Sequence, residues 1–196
     1  MHSVYVFLLP ESWVHNYAND TWRMHKPLAW WRKRLRMIWS SKMPLKCRLF
    51  LWRCLLAVLP VGSFLARHHV TSSACYVCGA HVETILHLMW NCNASKALLD
   101  HITALLQARF PSAFFGKHFW LFGILTPALR QYRAFFDWLR YWAMWTIWYS
   151  RNRAVFGEPP IQAFQYFKES LHQSLYDCLS LQEIDSSLYS LFTNIF

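Results

Sequence analysis

Three thiols and one imidazole fall within eighteen residues as Cys75-x2-Cys78-x8-His87-x4-Cys92. Structural zinc sites take four Cys or His ligands, commonly opening with a Cys-x2-Cys turn whose thiolates converge on one metal. Such a site is closed: no coordination position remains for substrate, so the zinc holds structure and performs no chemistry. Gly79 directly after Cys78 permits the positive-φ turn that aims backbone amides at thiolate sulfur. His87 and Cys92 follow at a second-pair spacing. His81, three residues after Cys78, is the rival to His87, although its place beside the first turn makes simultaneous ligation awkward. A redox Cys-x2-Cys pair would need a βαβ context, and the flanking sequence reads as helix.

Little else in the chain can do chemistry. The ten acidic residues are scattered, no glycine-rich phosphate loop is present, and no Ser or Cys nucleophile has a readable His and Asp beside it. No enzyme is expected. His68-His69 reads as a solvated helix end near the zinc loop, and Cys47 and Cys54, seven apart on one helix, as small buried hydrophobes. Removing the three cysteine ligands from the six cysteines leaves Cys47, Cys54 and Cys178, an odd remainder that fits no disulfide framework. A reducing, intracellular location, nuclear or cytoplasmic, follows as the expectation.

The basic residues are unevenly placed. Between Thr21 and Val82 there is no Asp or Glu, while Arg23, Lys26, Arg32, Lys33, Arg34, Arg36, Lys42, Lys46, Arg48, Arg53 and Arg67 all fall there, in a chain of net charge +10. A field of this kind attracts polyanions by counterion release, and the interleaved Trp22, Trp30, Trp31, Trp39 and Trp52 can stack on unpaired bases or on guanidinium groups. Arg32, Lys33, Arg36, Lys46, Arg48 and Arg53 are the candidate nucleic-acid contacts, to RNA or DNA. The alternative is a solvated basic helix face with the tryptophans in the core.

The elements that must position these groups read as helices. The chain of 196 residues is 55% hydrophobic, with twelve Trp and fifteen Phe, so it can bury a core dominated by large rings. Leu28, Trp31, Leu35, Ile38 and Trp39 recur at helical spacing, with Arg32, Lys33 and Arg36 opposite, and this helix ends near Ser40. Pro44 restarts the pattern, which Leu49, Trp52, Leu55 and Leu56 continue until Leu59-Pro60-Val61-Gly62 breaks it. Residues 63–69 form a short helix into the zinc loop, Thr84 caps a helical turn bearing His87, and 94–110 is another helix stopped by Pro111. A long helix over 130–155 is apolar almost all round, Gly157-Glu158-Pro159-Pro160 ends it, and 161–181 is amphipathic. The fold class is therefore mainly α: a helical domain with a small Cys-Cys-His-Cys zinc loop and a helical carboxyl-terminal segment. The boundaries read as an ill-defined amino-terminal segment (1–21), the zinc-binding domain (22–110), a Phe-rich connection (111–127) and a Trp-rich helical segment (128–196).

No membrane span or secretion signal is expected. MHSVYVFLLP lacks a basic leading segment and a small-residue cleavage site. Arg48, Arg53 and Pro60 interrupt the apolar stretch 47–66, and a charge at mid-bilayer costs about 2.5 to 3.5 kcal/mol. The sequons at Asn19 and Asn93 then have no consequence.

Trp39-x4-Pro44-x-Lys46-x-Arg48-x-Phe50-Leu51-Trp52-Arg53, then Leu59-Pro60, Leu65, Cys75-x2-Cys78-Gly79, Glu83-Thr84, His87-Leu88 and Cys92 form an ordered series. Across about Trp22 to Cys92 this resembles the reverse-transcriptase zinc-binding domain of plant LINE-like non-LTR retrotransposon polyproteins, which lies on the carboxyl side of the polymerase. Trp145-x2-Trp148-x2-Arg151-Asn152 resembles the segment that follows it, after which a ribonuclease H domain often comes. The chain departs from the family at Leu98 and Leu99, where a Trp is common. It also carries no polymerase palm and no spaced ribonuclease H carboxylates, and Tyr17-Ala18-Asn19-Asp20 only superficially matches a polymerase turn. The resemblance implies a zinc-binding module of retrotransposon origin. A protein-interaction role, docking the Trp-rich helix on a polymerase or ribonuclease H partner, and a decayed fragment without activity stay open beside it.

Overall fold

The structure, a computed structural model, describes residues 18–41, 43–70, 72–180 and 186–196. The leading apolar run, Tyr17 and Lys42 lie outside the described residues. Nine α-helices form among those described: α1 (Asn19–Trp22), α2 (Leu28–Trp39), α3 (Leu45–Leu55), α4 (Gly62–Arg67), α5 (Asn93–Arg109), α6 (Lys117–Phe122), α7 (Arg133–Val155), α8 (Ala163–Ser180) and α9 (Ser186–Thr193). A π-turn, His87–Asn91, precedes α5, and a 3-10 turn, Pro127–Tyr132, leads into α7. The one β-type pairing among the described residues is a single antiparallel bridge, Ala74 to Val82. The mainly α class holds, and no described helix is long and apolar enough to cross a membrane.

Proline sets the helix starts. Pro27 and Pro44 sit at the N-caps of α2 and α3 in extended backbone, and the Pro44 carbonyl accepts the amides of Cys47 and Arg48 at 3.0 and 3.2 Å. Before α2, Asn19 clamps the chain: its Oδ1 accepts the Lys26 amide at 3.0 Å and Trp31 Nε1–H at 3.3 Å, and its Nδ2 donates to the Lys26 carbonyl at 3.2 Å. Ala18, Asn19 and Trp22 are buried, so the described end of the amino-terminal segment is part of the core.

Helix α7 is the axis of packing. It contacts α3, α5, α8, α9 and the π-turn, and 13 of its 23 residues are buried, which accords with its apolar character on nearly every side. A single cluster of buried apolar side chains runs from Ala18 to Phe192. Phe115, Phe119 and Phe136 form an aromatic knot within it, with centroids 5.0 to 5.7 Å apart.

The 111–127 stretch contains a helix that periodicity does not reveal, because α6 is only six residues long and four of them, Phe119 to Phe122, are buried. Gly123 ends it with φ +62°, and a Cβ there would lie 2.6 Å from Nη1 of the buried Arg140. Two carbonyls pin that guanidinium, so it cannot swing aside. Gly123→Ala is expected to cost about 1–3 kcal/mol in urea denaturation, from left-handed backbone strain and the displaced arginine.

Candidate metal centre

The Ser73–Leu86 segment folds as a tight loop closed by backbone bonds: Glu83 N–H donates to Ser73 O at 2.8 Å and Cys75 N–H to His81 O at 2.8 Å. Inside it, Gly79 N–H donates to Cys75 O at 2.8 Å, and Gly79 has φ +68°, the conformation the sequence required of it. This turn brings Cys75 and Cys78 together. On the other side, Thr84 Oγ1 accepts the His87 amide at 3.0 Å, as expected of a capping residue. The Cys92 amide then donates to His87 O at 2.7 Å, five residues back, and this widened turn returns Cys92 beside His87. Extended backbone at Cys92, ψ 131°, stops the turn and makes Cys92 the N-cap of α5.

Cys75, Cys78, His87 and Cys92 thus form one cluster, their ligand atoms all within 4.8 Å of one another. Cys78 Sγ and His87 Nε2 are 3.4 Å apart. Tetrahedral zinc with ordinary Zn–S and Zn–N bonds needs separations of about 3.6 to 3.8 Å, so the Cys78–His87 pair would open slightly and the widest separations would close by about 1 Å. The donor set, three sulfurs and one imidazole nitrogen, is that of a closed structural zinc site, and the four residues fit the ion. His81 is exposed, its ring 5.3 Å from that of His87. It flanks the cluster on the side of Cys78.

The two thiols of the first pair sit in opposite environments. Burial raises Cys75 well above the usual thiol range. Burial acts in the same direction on Cys78, but hydrogen bonds from the Ala80 amide and from the His81, His87 and Cys75 side chains outweigh it and lower this thiol.

Glu83, which the sequence marks only within the Glu83-Thr84 pair of the resemblance, takes a structural role that no local pattern assigned to it. It has no exposed surface, and its Oε1 accepts the Gly62 amide at 2.7 Å and Arg151 Nε–H at 2.9 Å, with Arg151 Nη2 2.8 Å away. Its Oε2 accepts the Tyr76 amide, inside the metal loop, at 3.2 Å. Arg151 lies over the Tyr76 and Trp148 rings, 5.3 and 5.1 Å from their centroids. One carboxylate therefore ties the metal loop to the start of α4 and to α7. No pattern in the sequence pairs residues 68 apart, although a carboxylate between Val82 and Ile85, in a stretch otherwise free of acid, is a weak hint.

The candidate nucleic-acid contacts divide. Lys33 and Arg36 on α2 and Lys46 and Arg53 on α3 are exposed and enter no ion pair among the described residues. Arg32 and Arg48 are half-buried, and Arg48 donates Nη1–H to the Trp39 carbonyl at 3.1 Å while lying over the Trp39 ring. Of the interleaved tryptophans, Trp22 and Trp31 are fully buried and out of reach of any base. Trp30, Trp39 and Trp52 are half-buried against the core.

Residues 16–98 match the family described as zinc-binding in reverse transcriptase. The match gives the domain type of this segment, a zinc-binding module, and covers all four ligands together with α1 to α4. None of the curated proteins matches the chain.

Proposed function

We propose that the zinc-binding segment is a non-catalytic module that contacts RNA or DNA backbone, with weak sequence preference, through Lys33, Arg36, Lys46 and Arg53. The observation that carries this reading is the set of exposed, unpaired cations on two packed helices whose sequence, from Thr21 to Val82, holds no carboxylate. With Trp22 and Trp31 buried and Trp30, Trp39 and Trp52 packed half-buried on the core, charge supplies most of the affinity. The order of motifs supports an origin in a non-LTR retrotransposon polyprotein of the plant LINE-like kind, acting in the nucleus or cytoplasm. Docking on a polymerase or ribonuclease H partner through α7 is the weaker reading, because Trp138 and Trp148 are buried in the chain's own core.

Four phosphate contacts give a slope of about −3 in log Kobs against log salt for a single strand. Lys46→Ala and Arg53→Ala should each flatten that slope by about 0.7 and weaken binding alike for unrelated sequences. Fluorescence anisotropy of a labelled oligonucleotide across a salt series measures both. Binding indifferent to salt would overturn the reading.

A further inference from the structure

Two arginines of α7 flank one carboxylate, and a third, Arg34 of α2, lines the same cavity wall. Arg133 donates Nε–H to Asp137 Oδ2 at 3.0 Å and Nη1–H to the Gly123 carbonyl at 3.1 Å. Arg140 donates to the Trp120 and Leu121 carbonyls at 3.0 and 3.1 Å, with Nη1 3.8 Å from Asp137 Oδ1. Both carboxylate oxygens are thus engaged by these two side chains. Arg34 is left over. It is 8% exposed, makes no ion pair among the described residues, and its buried Nε–H has no acceptor there. Its guanidinium carbon lies 5.5 Å from the centroid of the Trp30 ring.

Three cations against one anion leave an excess of positive charge here, with Arg34 and Arg140 buried and Arg133 partly open to solvent. A buried Nε–H without an acceptor is costly unless something supplies the missing partner. A solvent-open cavity of about 470 Å³ lies against this cluster, lined by Arg34, Arg133 and Asp137 and by Lys33, Arg130 and Ser40. Lys33 and Arg130 are exposed. Burial, and then the neighbouring Arg133, lower the Arg34 pKa, as expected of a cation lacking its counter-charge.

We propose that this cavity is a phosphate-binding pocket, with Arg34 and Arg133 donating to the phosphate oxygens and Lys33 and Arg130 adding charge at its mouth. Planar guanidinium forks suit phosphate oxygens, and a cavity lined by four cations and one carboxylate favours a phosphate dianion over a singly charged phosphodiester. The ligand is then the terminal phosphate of a nucleic-acid strand or free inorganic phosphate. The pocket does not depend on backbone contacts through Lys46 and Arg53, and stands if those fail.

The test uses the full zinc-loaded chain, melted with rising inorganic phosphate against sodium chloride at matched ionic strength. Phosphate is expected to raise Tm beyond chloride, and Arg34→Met and Arg130→Ala are each expected to weaken its apparent affinity about tenfold or more. Arg130 is exposed, so its variant remains informative if Arg34→Met folds poorly. Equal effects of phosphate and chloride on the unsubstituted chain, or an unchanged phosphate titration in Arg130→Ala, would overturn the proposal. Anisotropy with 5′-phosphorylated and 5′-hydroxyl strands of one sequence then separates the sources. A preference for the phosphorylated strand that Arg130→Ala abolishes identifies a strand end, and a phosphate-dependent Tm without that preference identifies the free ion.

Discussion

The Cys78→Ser chain is expected to purify without zinc and to lose the fold of its zinc-binding segment. The four ligands come from two short pieces, the loop around Gly79 and the π-turn before α5, and few apolar contacts join the exposed face of that loop to anything else: Gly79, Ala80, His81 and Val82 are all exposed. Structural zinc in small modules provides about 10 to 16 kcal/mol of apparent binding energy, as large as the whole stability of an ordinary domain at about 5 to 15 kcal/mol. Without metal, three sulfurs and an imidazole nitrogen crowd within 4.8 Å of one another with no cation between them, and Cys75 and Cys92 are buried. Because the same buried cluster continues into α7, the loss should also lower the thermal transition of the whole chain. Elemental analysis gives the zinc content, and hydrogen exchange at Leu88 and Met89, both fully buried beside the ligands, gives the local fold. His87→Ala should match Cys78→Ser, whereas His81→Ala should keep its zinc. A folded Cys78→Ser chain with unchanged exchange there would show that packing, and not metal, holds this segment.

Much of this centre was legible because its rules are local. Ligand spacing, the glycine after Cys78 and the threonine three residues before His87 each act within a turn or two, and each occupies the place its chemistry required. The helix breaks at Pro44 and at Leu59 to Gly62 were legible for the same reason, as was the burial of α7. The π-turn was not, since an extra residue in a helical turn leaves no mark in hydrophobic period.

Charge was harder to place. Of the six basic residues expected at the surface, Arg32 and Arg48 are half-buried, and Arg34, which was not among them, is buried more deeply than either. The spacing did carry a signal: Arg34 lies three residues after Trp31 and four before Ile38, on the apolar side of α2 and not the solvent side. A stem of that length can lie along a core and bring its charge to a cavity, so an arginine on an apolar stripe does not interrupt the helical pattern. Arg133, Asp137 and Arg140 follow the same rule on α7, at i, i+4 and i+7.

Arg151→Met is expected to destabilise the chain by about 3 to 5 kcal/mol, the usual result of stripping one partner from a buried ion pair. Glu83 would be left fully buried with its charge facing only the Gly62 and Tyr76 amides. Glu83→Gln should be costly for the converse reason, since Arg151 would keep its charge between the Tyr76 and Trp148 rings without a carboxylate. The paired substitution, Glu83→Gln with Arg151→Met, removes both charges, so its cost should fall well below the sum of the two. A urea-denaturation double-mutant cycle measures that coupling. The pair also links metal retention to α7, because the Tyr76 amide that Glu83 holds lies between Cys75 and Cys78. Zinc should therefore leave the Arg151→Met chain faster when a chelator is added, even under conditions where most of the protein stays folded. Additive costs and an unchanged release rate would mean that the metal loop stands independently of the helix beyond residue 98, and that the matched segment is self-sufficient. Coupled costs with faster release would mean that the zinc-binding segment and α7 share one stability, joined through a single carboxylate 68 residues from its partner.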